Sequence, residues 1–186
     1  MEVDWDKRYR EGFYDGAHEV HELVEKFYPL MPRGKAVIDV AMGNGRDLLF
    51  LARKGLPAYG LERSEEAIKI ARQAAVKERQ QISAILGDAY HLPFKAAAGC
   101  VLVFYFLARE IMAELTGILL PGGLLIYETF LKRQNAIDRP RDPRYLLDDG
   151  ELIGYFRHLD LLSYEEGVFN VGGKRRALAR YAGMKR

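Results

Sequence analysis

Cysteine is nearly missing from this sequence, and its scarcity excludes a disulfide framework. The 186 residues contain one cysteine, Cys100, which has no partner for an internal disulfide. No apolar run reaches the roughly 18 residues that a membrane-spanning helix needs. Residues 1–10 lack a basic start followed by an apolar signal core. We therefore expect a protein of the reducing cytoplasm that makes no contact with a membrane.

An excess of charge of one sign is also missing. Lysine and arginine number 28 against 26 acidic residues, which leaves a formal net charge of +2. Because nucleic-acid binding depends on a basic excess, the sequence disfavours nucleic acid as the main partner. With 49% hydrophobic and 29% charged residues, the chain has the composition of one folded domain, and no oligomeric state is predicted.

The chain divides into a short helical start and a longer alternating region. Residues 1–34 are predicted to form an N-terminal helical cap, with a helix at about 18–28 that Pro29 stops. Residues 35–186 are predicted to form the main body of a single domain.

Strands alternate with helices through this main body, which predicts an α/β fold with a doubly wound sheet. Pro121–Gly123 is predicted to form the turn into the fifth strand, and Asn170–Gly173 a hairpin turn between the last two strands. Ser64 is the predicted N-cap of the second main helix. The predicted strands are 36–41, 58–62, 82–86, 101–106, 124–130, 159–168 and 174–182, and the predicted helices are 47–54, 65–78, 110–119 and 151–156.

A glycine loop follows the first predicted strand. Gly43 and Gly45 allow a tight turn and a close approach of a ligand to the N-terminus of a helix. A dinucleotide-binding motif needs a third glycine where Leu48 stands, so a nicotinamide-dependent oxidoreductase remains the weaker alternative. A plain strand-to-helix connection is the other alternative.

Two further strand ends carry acidic residues. Glu62 ends the second strand, where a carboxylate can accept hydrogen bonds from both hydroxyls of a ribose. Asp88, after the third strand, can read an adenine together with the backbone amide of Ala89. Taken alone, Glu62 is also compatible with a solvated charge, and Asp88 is more typical of a turn residue. In a parallel sheet, however, these strand ends meet at one edge, which indicates a nucleoside site.

In this order the motifs resemble those of class I S-adenosylmethionine-dependent methyltransferases over nearly the whole chain. Residues 39–45 resemble the glycine motif, Glu62 the ribose-binding acid, residues 88–89 the adenine loop and residues 120–123 the turn before the fifth strand. The resemblance implies a Rossmann-like sheet of seven strands in the order 3-2-1-4-5-7-6, mostly parallel with an antiparallel C-terminal hairpin, and S-adenosylmethionine as the cofactor. The cofactor contacts that it implies are Asp39, Ala41, Met42, Gly43, Gly45, Glu62, Arg63, Asp88, Ala89 and Phe104.

Residues 5–9 and 43–47 look similar to the tellurite-resistance and thiopurine methyltransferase-like branch of this family. Two places depart from the family pattern. Ala41 replaces the first glycine of the motif, from which we expect retained but weaker cofactor binding. Residues 99–100, Gly and Cys, replace an aromatic residue and an acid before the fourth strand. These departures keep a non-catalytic S-adenosylmethionine-binding module open as an alternative to an enzyme.

The resemblance implies methyl transfer, and the lack of an appended domain favours a small-molecule acceptor. The acceptor is expected to face Phe104–Phe106 at the end of the fourth strand. An Asn/Asp-Pro-Pro-aromatic pattern at that place is typical of nucleic-acid base methylation and is absent, so base methylation is disfavoured. A catalytic base is not identified. Candidate acid, base or positioning residues are Tyr14, His18, Tyr105 and Arg109, with Glu128 and Arg133 at the same edge.

Two further segments carry expectations. Residues 132–149 form a long, proline-containing connection, either a lid over the acceptor or a packed surface loop. In a lid, the cluster Arg139, Arg141 and Arg144 would attract an anionic or electron-rich acceptor. His18 and His21 share one helix face, but a catalytic zinc takes three protein ligands, so no metal is predicted and both are expected to be solvated.

Overall fold

The computed structural model describes residues 3–14, 19–95, 97–138 and 141–186. Within these residues, seven strands form one sheet in the order β3-β2-β1-β4-β5-β7-β6, so the predicted fold class and strand order are confirmed. The strands are β1 Ala36–Val40, β2 Ala58–Glu62, β3 Ser83–Leu86, β4 Ala98–Phe104, β5 Leu119–Phe130, β6 Asp160–Val171 and β7 Lys174–Met184. The helices are α1 Trp5–Arg10, α2 Glu22–Phe27, α3 Arg46–Arg53, α4 Glu65–Glu78, α5 Met112–Gly117 and α6 Glu151–Tyr155.

The five strands β1 to β5 are parallel to one another. The strand β7 lies between β5 and β6 and is antiparallel to both. The central strand β4 is buried at every position, as expected for a parallel strand covered on both faces. Cys100 lies within this strand and is fully buried. The carboxyl ends of β1 to β5 therefore meet at one edge of the sheet, where open α/β sheets bind ligands.

The helix α4 begins as predicted. The Ser64 hydroxyl accepts a hydrogen bond from the Ala67 backbone N–H at 3.1 Å, which satisfies one of the free donors of the first turn. The same hydroxyl donates to the Asp6 carboxylate at 2.6 Å, and Asp6 also accepts from the Glu66 backbone N–H. The α4 N-terminus is thus the point at which α1 is attached to the sheet domain.

The boundary between the fourth and fifth strands differs from the prediction. The strand β4 begins at Ala98, three residues early, because Ala98 and Cys100 pair with β1 and β5. The predicted turn at Pro121–Gly123 is wrong, since these residues lie inside β5. Ala98 pairs with Leu119 whereas Cys100 pairs with Leu124, so the intervening residues of β5 form a bulge.

The N-terminal segment packs into the same core as the sheet. The helix α2 is shorter than the predicted 18–28, and its residues Leu23, Val24 and Phe27 are buried in one cluster with β1 and β4. His18 lies outside the described residues. No helix in the described part of the chain is long and apolar enough to span a membrane.

The connection at 132–149 is packed where it is described. Leu146 and Leu147 are fully buried, and the Lys132 backbone N–H donates to the Leu147 carbonyl at 2.8 Å. The buried Gln134 accepts a hydrogen bond from the Ala177 backbone N–H at 2.7 Å. These contacts favour the packed loop over the lid. Arg139 lies outside the described residues.

Candidate active site

The loop after β1 has the sharp conformation that a close ligand approach requires. Gly43 and Gly45 have φ angles of 58° and 74°, in the left-handed region that glycine tolerates. A Cβ atom at Gly45 would lie 2.8 Å from the Ala71 Cβ atom. Ala41 has a φ of 59°, which costs an L-residue about 1–2 kcal/mol. Ala41, which stands where the family has a glycine, therefore strains the backbone of the loop.

Glu62 connects this loop to the end of β2. Its Oε2 atom accepts from the Gly43 backbone N–H and its Oε1 atom from the Ser64 backbone N–H, both at 2.9 Å. Burial raises the pKa of Glu62 above its ordinary value, although these backbone donors oppose the shift. Each carboxylate oxygen has a further lone pair, so Glu62 can also accept from ligand hydroxyls.

Asp39, at the end of β1, is a buried acid with an unsatisfied atom. Its side chain is 2% exposed, and Oδ2 has no hydrogen-bond partner within the described residues. Burial, and then the nearby Asp47 carboxylate, raise the pKa of Asp39 well above its usual range, whereas the Arg46 charge lowers it. A cationic ligand group near Oδ2 would satisfy this atom.

Aromatic residues of the N-terminal segment cover the glycine loop. The Tyr9 hydroxyl lies 2.8 Å from the place where a Gly43 Cβ atom would be, and the Tyr9 and Tyr14 rings are 4.7 Å apart. Burial raises the pKa of both phenols. Tyr14, one of the candidate residues, thus lies next to the residue that covers the glycine loop.

The remaining predicted cofactor contacts lie around the same edge but differ in exposure. Asp88 is exposed and accepts a hydrogen bond from the Tyr90 backbone N–H at 3.0 Å, which is turn chemistry, while Ala89 is buried. The Met42 side chain is buried against Gly60, and its backbone N–H donates to the Leu61 carbonyl at 3.1 Å. Arg63 is exposed beside α1.

His21 is buried, so the expected solvated position is wrong. It is 8% exposed, and its Nδ1 atom lies 2.6 Å from Oδ2 of the buried Asp47. The Nε2 atom lies 2.6 Å from an Arg46 guanidinium nitrogen. The imidazole also stacks on the Phe104 ring, with centroids 3.7 Å apart and planes at 5°. The signal in the sequence was only that His21 directly precedes the apolar helix α2.

Tyr105 directly follows β4, at the part of the edge where the acceptor is expected. Its φ is 55°, a strained conformation for a residue with a side chain, and such strain clusters at functional sites. Its ring stacks on Phe130 at 5.1 Å, and its buried hydroxyl has no hydrogen-bond partner among the described residues. Burial, and next the Glu128 charge, raise the pKa of the Tyr105 phenol.

Arginine side chains lie against aromatic rings on this half. The guanidinium carbon of Arg176 is 4.9 Å from the Tyr105 centroid, that of Arg141 is 4.1 Å from Phe130, and that of Arg180 is 3.9 Å from Phe169. Such distances are within the range of cation–π attraction. Arg180 is paired with the buried Glu128 at 2.8 Å and with Glu22 at 3.1 Å.

Three other candidate arginines are engaged in ion pairs. Arg109 forms hydrogen bonds of 2.6 and 2.9 Å with Glu151 and donates to the Arg144 and Leu146 carbonyls, so it fastens the 132–149 connection. Arg144 pairs with its neighbour Asp142 at 2.6 Å. Arg133 lies 3.5 Å from Asp149 on the surface. The structure therefore does not bring Arg141 and Arg144 together as a joint anion site.

The residues present fit S-adenosylmethionine. The unsatisfied Oδ2 atom of Asp39 suits the ammonium group of its methionine end, and Glu62 suits the two ribose hydroxyls. A Cβ atom at Gly43 would lie 2.8 Å from the Tyr9 hydroxyl, so the absence of a side chain there keeps the loop open to a close neighbour. In the described residues, no group of three His, Cys, Asp or Glu side chains is placed to hold a metal ion.

Comparisons with known proteins agree with this geometry. The family model described as a methyltransferase domain matches residues 38–127. TehB from Haemophilus influenzae has a similar structure, with a TM-score of 0.79 at 19% identity over 95% of this chain and 67% of that one. No curated protein matches the sequence.

Two further solved structures share the fold. A S-adenosylmethionine-dependent methyltransferase from Aquifex aeolicus has a TM-score of 0.72 at 16% identity, over 98% of this chain and 100% of that one. Geranyl diphosphate C-methyltransferase from Streptomyces coelicolor A3(2), in complex with S-adenosyl-L-homocysteine, has a TM-score of 0.67 at 12% identity, over 88% of this chain and 77% of that one. Residues 38–127 are therefore a methyltransferase domain, and the described chain has the fold of the S-adenosylmethionine-dependent methyltransferases among these structures.

Proposed function

We propose that this methyltransferase acts on a small-molecule acceptor that combines an apolar or aromatic part with a negative charge. The observation that carries the proposal is the stack of Arg176 on Tyr105, 4.9 Å from the ring centroid, at the end of β4. An aromatic ring under a guanidinium group suits a flat acceptor with an anionic substituent.

The β6–β7 hairpin supplies this positive charge. Phe130, the last residue of β5, pairs with Leu178, so β7 residues before 178 extend past the end of β5. Side chains alternate along a strand, so Arg176, Leu178 and Arg180 share one face. Because Glu128 and Glu22 neutralise Arg180, Arg176 is the charge on this face that we assign to the acceptor.

The protein's contribution to methyl transfer is positioning. Bound S-adenosylmethionine supplies an electrophilic methyl group, and the acceptor must approach it in line. We propose that Asp39, the 41–45 loop, Glu62 and residues 88–89 hold the cofactor. The Tyr105 and Phe130 rings then bind the acceptor and exclude water from the reacting groups.

The finer family placement is also a proposal. The similarity to TehB and the sequence of residues 5–9 support the tellurite-resistance and thiopurine methyltransferase-like branch. Two contacts of residues 5–9 also support this placement. Asp6 attaches α1 to the start of α4, and Tyr9 lies over the glycine loop. The small-molecule acceptor is compatible with the geranyl diphosphate acceptor named for the Streptomyces enzyme.

The test is a methyl-transfer screen with pairs of acceptors, each an aromatic carboxylate or phosphate and its uncharged amide or ester. We expect kcat/KM to favour the charged members. Arg176→Gln should lower kcat/KM for them about tenfold, the effect of one charge-assisted contact of ~1.4 kcal/mol. Arg175→Gln is the matched control, since Arg175 is exposed and lies on the opposite face of β7. Equal losses in both variants, or equal rates for charged and uncharged acceptors, would contradict the proposal.

A further inference from the structure

The side chain of His21 serves neither its own helix nor the function proposed above. His21 is the N-cap residue of α2, yet its side chain makes no capping hydrogen bond. Instead, Oδ1 of the buried Asp47 accepts from the His21 backbone N–H at 2.9 Å, and Asp47 Oδ2 lies 2.6 Å from the ring atom Nδ1. Short polar side chains that bond to the first turn are the usual N-caps, so a histidine that bonds elsewhere needs another explanation.

Three contacts fix the plane of the His21 ring. Asp47 holds Nδ1, an Arg46 guanidinium nitrogen lies 2.6 Å from Nε2, and one face stacks on Phe104 with centroids 3.7 Å apart. Because a guanidinium group only donates, Nε2 accepts, and Nδ1 carries the hydrogen that Asp47 accepts. The ring is buried, so turning it would leave polar atoms without partners, and its position is therefore fixed.

Tyr105 packs against this fixed ring. The ring centroids of His21 and Tyr105 are 5.3 Å apart, within the range of aromatic pairs. Tyr105 also packs against two hydrophobic clusters, one that contains the buried residues of α2 and one that contains Phe130 and Leu146. It is thus the residue at which the N-terminal segment meets the acceptor half of the edge.

The backbone of Tyr105 requires support from its neighbours. Its φ of 55° is strained for a residue with a side chain, and such a conformation persists only where surrounding contacts enforce it. The Tyr105 backbone N–H donates to the Glu128 carbonyl at 2.8 Å, and its ring stacks on Phe130. Both of these contacts come from β5, whereas His21 contacts the Tyr105 ring from outside the sheet.

We infer that His21 is a positioning residue for the methyl acceptor, because its ring, held by Asp47, keeps Tyr105 in the conformation that binds the acceptor. The inference rests on the proposed function, which takes the Tyr105 and Phe130 rings as the acceptor's binding surface. A surface that is ordered in advance binds its ligand at a lower entropic cost. Loss of the His21 ring should therefore weaken the acceptor and leave the cofactor site unchanged.

The first measurement needs no acceptor. Tyrosine is replaced by 3-fluorotyrosine, and the Tyr105→Phe variant identifies the ¹⁹F signal of position 105. We expect His21→Gln, which keeps an amide near Asp47 but removes the ring, to shift or broaden this signal. His158→Gln is the matched control, since the His158 ring contacts Thr116 at 3.2 Å, and it should leave the signal in place. Asp47→Asn repeats the test by releasing the ring without removing it, in case His21→Gln does not fold.

The second measurement is a double-mutant cycle read by calorimetry. Phenyl phosphate is titrated into the complex with S-adenosylhomocysteine, and S-adenosylhomocysteine is titrated separately. We expect His21→Gln to weaken phenyl phosphate about tenfold and S-adenosylhomocysteine less than threefold. Because His21 acts through Tyr105, the same change in a Tyr105→Ala background should weaken phenyl phosphate less than twofold further.

Three results would overturn the inference. One is an unchanged signal of position 105 in folded His21→Gln, and another is additive losses in the cycle. The third is an equal loss of both ligands together with a lower Tm, which would make His21 purely structural. Failure of phenyl phosphate to bind the wild-type complex would count against the proposed function, while the fluorine signal still decides whether His21 positions Tyr105.

Discussion

The sheet edge has two halves, one after β1 and β2 and one after β4 and β5, and they differ in the sign of their charged side chains. After β1 and β2, buried acids dominate: Glu62 accepts hydrogen bonds from backbone donors, and the Oδ2 atom of Asp39 has no partner among the described residues. After β4 and β5, arginines dominate, and aromatic rings lie beneath them. The acidic half suits a ligand with hydroxyl groups and a positive charge, and the basic half suits an electron-rich one. The methyl group must pass between them, so each half can be disturbed separately.

The largest expected effect comes from removing Glu62. Glu62→Ala should weaken S-adenosylhomocysteine about 100-fold, the upper range of ~3 kcal/mol for hydrogen bonds to a charged group. Glu65→Gln, an exposed acid in the first turn of α4, is the matched control. Because the pKa of Glu62 is raised and its ionised form is the acceptor, wild-type affinity should fall as the pH is lowered through that pKa. A pH-independent dissociation constant would argue against Glu62 as the ribose acceptor.

Asp39→Asn should separate stability from binding. The pKa of Asp39 is raised above 3.8 in the folded protein, so wild-type stability falls as the pH rises from 3.8 through the folded pKa. Because asparagine does not ionise, we expect the Tm of the Asp39→Asn variant at neutral pH to exceed that of wild type. The increase should be about 2–4 °C for each kcal/mol gained in the free energy of unfolding. Binding of S-adenosylhomocysteine should weaken in the same variant.

The control for this change is Asp47→Asn. Asp47 accepts two hydrogen bonds from His21, so its neutralisation should lower Tm instead. Thermal unfolding at pH 4 and pH 7.5 measures both variants. A lower Tm for Asp39→Asn at both pH values would refute the assignment of Asp39 as a destabilising buried acid.

The smallest effect concerns Ala41. Its φ of 59° costs an L-residue about 1–2 kcal/mol, and the greater freedom of glycine in the unfolded chain offsets part of the gain, so Ala41→Gly should stabilise the protein by up to ~1 kcal/mol in chemical denaturation. Gly45→Ala is the opposite test, because its Cβ atom would lie 2.8 Å from Ala71. Stabilisation by the second change would show that this loop adopts another conformation.

The acidic half could be anticipated from the sequence better than the basic half. Gly43, Gly45 and Glu62 lie within 20 residues of one another and follow short strands, so their meeting at one edge follows from local pattern and parallel pairing. The Ser64 cap was predicted from local pattern as well, whereas the strand order was predicted from the resemblance to the methyltransferase family. The assignment of cofactor contacts to these residues stays a prediction.

Long-range contacts account for what the sequence did not reveal. His21 meets Asp47 26 positions away, and Arg180 meets Glu22 158 positions away. No periodicity or motif relates such pairs, and a histidine before an apolar helix is equally compatible with solvent exposure. The β5 bulge was missed for a similar reason, since proline and glycine are typical of turns and bulges alike.

The burial of Cys100 has a practical consequence for assays. This single thiol lies inside β4 with no exposed surface, and burial followed by the Asp39 charge raises its pKa, so the reactive thiolate is suppressed. Ellman-type reagents should therefore leave the folded enzyme unlabelled. A coupled assay that converts S-adenosylhomocysteine to homocysteine and detects its sulfhydryl group would register turnover without background from the protein, and a rising blank would report unfolding.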